Sequence, residues 1–154
     1  MAPSMIPAMD SMVLICYYCR MTPVVLALPT DNRVRAHAFY RDALGLAAFG
    51  EPAEDGVPEP LQVAVSDGLT LMLIPRGGFG WVTGDHEVAA PGTSECLLSL
   101  PARDDAEVDT MFARAEAAGA TVLARPVTQP WGHLATFADP DGHLWQIIHT
   151  PGQS

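Results

Sequence analysis

Two segments of the chain carry the same turn signals at the same spacing. Gly45 ends a segment with helical periodicity, and Gly68 follows it by 23 residues. Gly119 ends a second such segment, and Gly142 again follows by 23 residues. The later glycine of each pair is preceded by aspartate and leads into a strand-like apolar run. Because a helix end, a turn and a strand recur together, the sequence predicts two equivalent modules.

Within each module, the apolar pattern predicts a strand, a helix and then three strands. In the first module we expect strands at residues 24–28, 46–50, 61–66 and 69–74. In the second we expect strands at residues 95–100, 120–124, 133–138 and 143–148. The first helix is indicated by apolar residues on one face, namely Ala36, Phe39, Tyr40, Ala43 and Leu44. The resulting fold class is α+β.

The predicted helices have recognisable ends. Asp31 or Asn32 can accept hydrogen bonds from the free N–H groups at the start of the first helix. Asp104, with Glu107 three residues on, resembles a capping box at the start of the second. A glycine can adopt the left-handed conformation that ends each helix.

Alternation along the predicted strands assigns one face of each sheet to its helix. The leucines of residues 69–74 and the pair Trp145 and Ile147 take the helix side. The opposite face is mostly apolar, yet it includes Thr70, Glu95, Ser99 and Gln146. An ionised glutamate in such surroundings needs a partner, a ligand or water.

The charge balance excludes one class of function. The chain has 18 acidic residues against 8 basic ones, for a net charge of −10 at pH 7. Such a surface repels phosphate backbones and anionic lipids, so we expect no nucleic-acid partner and no membrane partner. No apolar run in the sequence reaches the roughly 18–20 residues that cross a bilayer.

The cysteines favour a reducing, cytoplasmic location. There are three, an odd number that does not make a disulfide framework. Cys16 and Cys19 have C-x-x-C spacing but no second pair, so reduced thiols are expected rather than a zinc or redox site. Cys96 lies in an apolar run and is expected in the core.

The composition predicts four segments along the chain. Residues 1–22 are expected to be a dispensable, poorly ordered N-terminal extension. The modules are expected at residues 23–75 and 94–150, joined by a Gly/Pro-rich link over residues 76–93. The glycine-rich run at residues 76–80 follows a strand without a predicted helix behind it, so a phosphate-binding loop is not expected there.

Two motifs resemble a known family. Residues 39–46 read Phe-Tyr-Arg-Asp-Ala-Leu-Gly-Leu, and residues 139–145 read Asp-Pro-Asp-Gly-His-Leu-Trp. They are similar to the F-Y-x-x-x-L-G-L helix end and the D-P-D-G-[HN]-x-W turn of the vicinal oxygen chelate superfamily. This superfamily includes glyoxalase I, bleomycin-resistance proteins, extradiol dioxygenases and fosfomycin-resistance enzymes. The resemblance covers about residues 23–151.

The resemblance implies two tandem βαβββ modules whose curved mixed sheets surround a central cleft. In metal-using members, the ligands come from the first and last strands of each module. The positions carried over are Val25, Met72, Glu95 and Gln146. Two are apolar, one is a good ligand and one is a weak neutral ligand, so the site for a divalent Zn, Ni, Mn or Fe ion is degenerate. The resemblance therefore assigns no cofactor, and a divalent metal stays the alternative.

Other residues are candidates for ligand binding. His133 opens the seventh predicted strand and is either a cleft residue near Glu95 and Gln146 or an exposed strand end. Trp81, Phe79 and Trp131 either stack on a flat ligand or cover the core. Glu95 itself is a candidate metal ligand or general base, a solvated strand end, or an ion-pair partner of an arginine such as Arg76.

The remaining histidines are not assigned to the site. We expect His143 and His149 to be structural and His37 and His86 to be solvated.

Three functions remain open from the sequence. The preferred hypothesis is a bleomycin-resistance-like protein that holds a small organic molecule in a mostly apolar cleft without a complete metal site. The alternative is a glyoxalase-like lyase or isomerase that uses Glu95, and the third is a non-enzymatic interaction module. A homodimer is expected in each case, with the cleft formed either within one chain or between swapped modules.

Overall fold

The computed structural model describes residues 23–152, and its first module has four strands and one helix. These elements are β1 Val24–Thr30, α1 Arg33–Asp42, β2 Ala47–Phe49, β3 Leu61–Ser66 and β4 Leu69–Pro75. The sheet has the order β1-β4-β3-β2, in which β1 is parallel to β4 and the other neighbours are antiparallel. The expected N-terminal extension, residues 1–22, with Cys16 and Cys19, lies outside the described residues.

The second module repeats this topology after a short helix in the link. Helix α2 spans Arg76–Thr83, and the module consists of β5 Leu97–Pro101, α3 Asp105–Ala117, β6 Thr121–Gln129, β7 Gly132–Ala138 and β8 Leu144–His149. Its sheet has the order β5-β8-β7-β6, with β5 parallel to β8. The predicted α+β class, with tandem βαβββ modules and curved mixed sheets, is therefore confirmed.

The local signals at the helix ends act as predicted. Asn32, rather than Asp31, caps α1 by accepting from the Arg35 N–H at 2.9 Å. Asp104 caps α3 by accepting from the Glu107 N–H at 2.8 Å. The Glu107 carboxylate reaches back one residue further than in a standard capping box, and it accepts from the Arg103 N–H at 2.6 Å.

Both helix-bearing sheet faces contribute to one hydrophobic core. Leu71 and Leu73 of β4 and Trp145 and Ile147 of β8 are fully buried, as their alternation predicts. Helix α1 connects the two modules, because Phe39 packs against Phe137 of β7 and Tyr40 against Trp145 of β8. The opposite face of each sheet, here called the outer face, is only partly covered.

The prediction that residues 76–80 open no helix is wrong. The chain leaves β4 at Pro75, forms α2 against β1 and β4, and ends it at Gly84 with φ 63°. Its three glycines lower the helix propensity and interrupt the apolar pattern, so the sequence does not indicate this helix. The helix does not support a phosphate-binding loop, because the glycines lie inside the helix rather than in a loop before the helix. No helix within residues 23–152 combines the length and apolar character needed to cross a membrane.

The start of the second module also differs from the prediction. Strand β5 begins at Leu97, so Glu95 precedes the strand instead of opening it. Cys96 is exposed and has a free thiol, and its predicted place in the core is wrong. The physical reason is that pairing with β8 begins only at Leu97, so the side chain of Cys96 is not yet held against a helix.

Candidate functional site

A cavity of about 280 Å³ lies between the two modules. The first module contributes the end of β1, and helix α2 forms an adjoining wall. The second module contributes the start of β5 and the turn that precedes β8. The lining includes Ala27, Leu28, Pro29, Arg76, Phe79, Thr83, Glu95, Cys96, Leu98, Asp141, His143 and Leu144, together with link residues 86–94. Residues from both modules and from the link are therefore needed to enclose it.

The walls of the cavity combine apolar surface with a few polar groups. Leu98 is buried on β5, and Phe79 projects from α2. Arg76 is held at the cavity by its Nε, which donates to the Asp31 carboxylate at 2.8 Å. Arg76 thus pairs with Asp31 instead of with Glu95, and Glu95 has no ion-pair partner among residues 23–152.

The Asp-Pro-Asp-Gly turn forms one side of the cavity and fastens the modules together. The Asp141 carboxylate accepts from the Thr30 hydroxyl at 2.7 Å and from the Asp31 N–H at 2.9 Å. Arg35 adds an ion pair to the same carboxylate at 3.3 Å. Nε2 of His143 donates to the Pro29 carbonyl at 2.7 Å, which is a further bond between the two modules.

A second carboxylate in this turn lies deeper. Asp139 accepts from the Tyr40 hydroxyl and from the N–H groups of Asp141 and His143, at 3.0 and 2.9 Å for the last two. Burial raises the pKa of Asp139, although His143 and the Tyr40 hydroxyl oppose this effect. Burial and the neighbouring Asp139 carboxylate raise the pKa of Tyr40 well above its usual value. The turn is thus a buried polar junction that fixes the geometry of the cavity.

The structure places two of the predicted site residues in this cavity and the rest elsewhere. Glu95 and Phe79 line it. Val25 lies on the outer face of the first sheet, beside Thr70, and is half exposed. Met72 shares that face, beside Ala27.

Gln146 lies on the outer face of the second sheet. It is the register partner of Ser99, whose hydroxyl donates to its Oε1 at 3.4 Å. The four positions carried over from the resemblance are therefore distributed over two sheet faces and one loop, and only Glu95 borders the cavity.

His133 faces helix α3, on the opposite side of the second sheet from Gln146. Its ring bonds the Thr128 hydroxyl at 2.9 Å through Nδ1 and the Asp109 carboxylate at 2.8 Å through Nε2. His149, its partner across β7 and β8, bonds Asp105 at 2.6 Å in the same way. Strand alternation explains this, because His133 shares its face with Ala135 and Phe137 of the core.

The two predicted tryptophans lie on the surface. Trp81 projects from the outside of α2 and is 87% exposed, while Trp131 lies in the turn between β6 and β7 and is 61% exposed. Neither lines the cavity. Phe79 lies two residues before Trp81 on the same helix and points the other way.

The donors present do not fit the divalent-metal centre of metal-using relatives. Val25 and Met72 offer no ligand for a hard cation, and Gln146 is neutral and bonded to Ser99. In the part of the chain that the structure describes, no three His, Cys, Asp or Glu side chains are grouped to hold a metal ion.

Sequence reasoning missed several residues of the cavity and its junction. The sequence indicates Arg76 only as a partner of Glu95, and Asp141 only as part of a motif. The available signal was the composition of the turn, because Asp-Pro-Asp-Gly places two carboxylates close together and buried carboxylates need hydrogen-bond donors. Which segment donates is decided by contacts between distant residues.

Comparison with known proteins gives the family. The model of the Glyoxalase/Bleomycin resistance protein/Dioxygenase superfamily matches residues 22–147. The chain belongs to this superfamily. No curated protein matched the chain.

Solved structures of similar proteins share the fold. A glyoxalase-related enzyme from Fulvimarina pelagi is 25% identical, with a TM-score of 0.72 over 84% of this chain and 88% of that one. TnmS3, an antibiotic binding protein from Streptomyces sp. CB03234, is 26% identical, with a TM-score of 0.58 over 84% and 95%. A glyoxalase/bleomycin resistance protein from the same organism is 26% identical, with a TM-score of 0.55 over 82% and 99%.

Proposed function

We propose that this superfamily member binds a small organic ligand with a flat apolar part, as a bleomycin-resistance-like protein without a complete metal site. The observation that carries the proposal is the cavity of about 280 Å³ between the modules. Its size is just below the usual range of ligand pockets, roughly 300–1,000 Å³. The similarity to TnmS3, an antibiotic binding protein, supports the same class of ligand.

The lining suits a ligand that is mostly apolar with a few polar groups. Phe79, Leu98 and Leu144 offer apolar contact, and an aromatic ring such as Phe79 favours stacking on a flat ligand. Arg76 is oriented by Asp31 and adds guanidinium donors at the wall. Few polar groups at fixed positions are what orient a ligand in such a pocket.

The proposal is tested by ligand binding to the full chain. Bleomycin and the anthraquinone daunorubicin are titrated separately by calorimetry and by thermal shift. A ligand at 100 times its Kd stabilises the folded state by about 2.7 kcal/mol, so binding raises the Tm. Failure of both compounds to bind at millimolar concentration contradicts the proposed ligand class.

A matched pair of variants locates the binding site. Phe79→Ala removes an aromatic wall of the cavity, and we expect it to weaken binding at least tenfold. Trp81→Ala removes a larger aromatic side chain from the solvent side of the same helix, and we expect no change in Kd. Equal losses in the two variants would place the ligand outside the cavity.

A glyoxalase-like lyase or isomerase activity is the second candidate, and the position of Glu95 favours it. This carboxylate borders the cavity and has no ion pair among the described residues, so it is available as a general base or as a single metal ligand. The test is turnover of the methylglyoxal–glutathione hemithioacetal with added Ni²⁺, Zn²⁺ or Mn²⁺. Activity that Glu95→Ala abolishes would establish the lyase, and turnover that survives this substitution would exclude Glu95.

We also propose a homodimer in a reducing, cytoplasmic environment. Val25 and Leu97 are about half exposed on the outer faces of the two sheets, at 49% and 47%. Strands β1 and β5 each pair on one side only within residues 23–152. Apolar outer faces beside unpaired strand edges favour association with a second copy. The free thiol of Cys96 suits a reducing compartment.

A further inference from the structure

Helix α2, which forms one wall of the cavity, has fewer stabilising contacts than the other two described helices. Three of its eight residues are glycines, Gly77, Gly78 and Gly80. Each glycine disfavours the helical state relative to alanine, and Pro75 at the N-cap position makes no side-chain hydrogen bond. None of the residues of α2 is buried, whereas α1 and α3 each bury three. Segments with so little burial open locally at low cost.

The chain just after α2 includes a non-glycine residue in an unfavourable backbone conformation. Gly84 and Asp85 both adopt left-handed backbone conformations, with φ 63° and 62°. Asp85 is the only non-glycine residue with positive φ in the described part of the chain. A positive φ at such a residue persists only where neighbouring groups stabilise it. Here the Asp85 N–H donates to the Gly80 carbonyl at 2.8 Å. Opening of the helix would release this conformation.

The two faces of α2 differ, because one lines the cavity and the other faces solvent. Phe79 and Thr83 line the cavity. Trp81 and Val82 point outward and are 87% and 49% exposed. The cavity is partly open to solvent, and movement of this one helix would widen that opening without any change in the sheets.

One ion pair fastens α2 to the body of the protein. Arg76, its first residue, donates through Nε to the Asp31 carboxylate at 2.8 Å, and both side chains are partly exposed. Asp31 is itself fixed, because its backbone N–H donates to the Asp141 carboxylate of the other module at 2.9 Å. A partly exposed ion pair contributes little stability and breaks readily. It can hold α2 closed without making closure permanent.

We propose that α2 is a lid that swings about Pro75 and Gly84–Asp85 when the Arg76–Asp31 ion pair breaks, and so widens the opening through which a ligand enters the cavity. The opening of α2 is a separate property from the binding of a ligand. It is a property of the free protein. It can therefore be tested whether or not the proposed ligand class is correct.

Hydrogen exchange of the free full chain, followed by mass spectrometry, is the first test. We expect the amides of α2 to be protected at least tenfold less than those of α1 and α3. Alanine fits at Gly77 and Gly78, which have no atom within 4 Å of an added Cβ. Gly77→Ala with Gly78→Ala should slow exchange in α2 roughly 25-fold, about fivefold for each residue.

Two further variants separate the lid from a general change in stability. Asp31→Asn removes the ion pair and should speed exchange in α2 by about two- to fivefold. Gly68→Ala also places a methyl group in open space, but in the turn before β4, and should leave α2 unchanged. Protection of α2 equal to that of α3, or no response to the Gly77 and Gly78 substitutions, would overturn the lid.

Ligand kinetics are the second test, with daunorubicin as the probe in stopped-flow fluorescence. The Gly77→Ala, Gly78→Ala variant should slow association severalfold, and Asp31→Asn should speed it. If daunorubicin and bleomycin do not bind at all, the proposed function fails while the exchange experiment still decides the lid. If binding occurs at the same rate in all variants, ligand entry does not depend on α2.

Discussion

Tyr40 and Asp139 show how a pair of residues far apart in sequence fixes the junction between the modules. The Tyr40 hydroxyl donates to the Asp139 carboxylate where both groups are almost fully buried. The two residues belong to the two motifs that carry the family resemblance. The sequence predicts that each motif forms a helix end and a turn. It does not predict that the motifs bond each other, because that contact joins residues 99 positions apart.

Replacing Tyr40 by phenylalanine tests the strength of this contact. Tyr40→Phe keeps the ring that packs on Trp145 but leaves the buried Asp139 carboxylate with one donor fewer. We expect a loss of about 1–3 kcal/mol in the free energy of unfolding, because a buried polar group loses its partner. Urea unfolding at pH 7 measures it. Wild-type stability in the variant would mean that the bond contributes nothing.

The raised pKa of Tyr40 predicts a loss of stability in alkali. The folded-state pKa lies above the usual value of about 10, so the contribution of Tyr40 is complete below pH 10. It is lost as the pH rises through the folded-state pKa, because the unfolded chain releases the proton first. Unfolding free energies between pH 8 and 11 should therefore fall more steeply for wild type than for Tyr40→Phe. Parallel curves would show that Tyr40 titrates normally.

At the scale of elements, the sequence correctly predicts the features that depend on residues close together in the chain. The caps at Asn32 and Asp104 and strands β3 and β4 follow from residues close in sequence. The sequence does not predict helix α2 because its glycines disfavour a helix, whereas its contacts with β1 and β4 and the Arg76–Asp31 ion pair stabilise it. The start of β5 was placed too early for a related reason. Alternation continues through Glu95, but pairing with β8 begins only at Leu97.

Gly132 gives a prediction at the β6–β7 turn. Its φ is 154°, and a Cβ added there would lie 2.4 Å from the carbonyl oxygen of His149 on β8. Because the obstacle is backbone, Gly132→Ala forces β7 and β8 apart. We expect a loss of about 2–4 kcal/mol in unfolding free energy, measured by urea denaturation. Gly68→Ala is the control, because its added methyl group meets nothing within 4 Å. Similar stability of the two variants would contradict the close approach.

At the scale of the molecule, the tandem modules could be predicted and their mutual placement could not. The repeat predicts two copies of one unit, because each copy has its own helix end, turn and strand. The cavity arises where the units meet, through bonds such as that from Thr30 to Asp141 across 111 positions. Repeat spacing contains no information on such contacts. The sequence therefore could not show that Glu95 and Phe79 line the cavity while Val25, Met72 and Gln146 lie on the outer faces.

The outer faces lead to a prediction about assembly. If two chains associate through these faces, a charge placed there must be desolvated or must separate them. Val25→Asp and Leu97→Asp should each convert a dimer to a monomer, measured by size-exclusion chromatography with light scattering. Val34→Asp is the matched control, because Val34 is 48% exposed but lies on α1, away from either outer face. A wild-type chain that is monomeric at high micromolar concentration would rule out the dimer. A dimer that survives both outer-face substitutions would place the interface elsewhere.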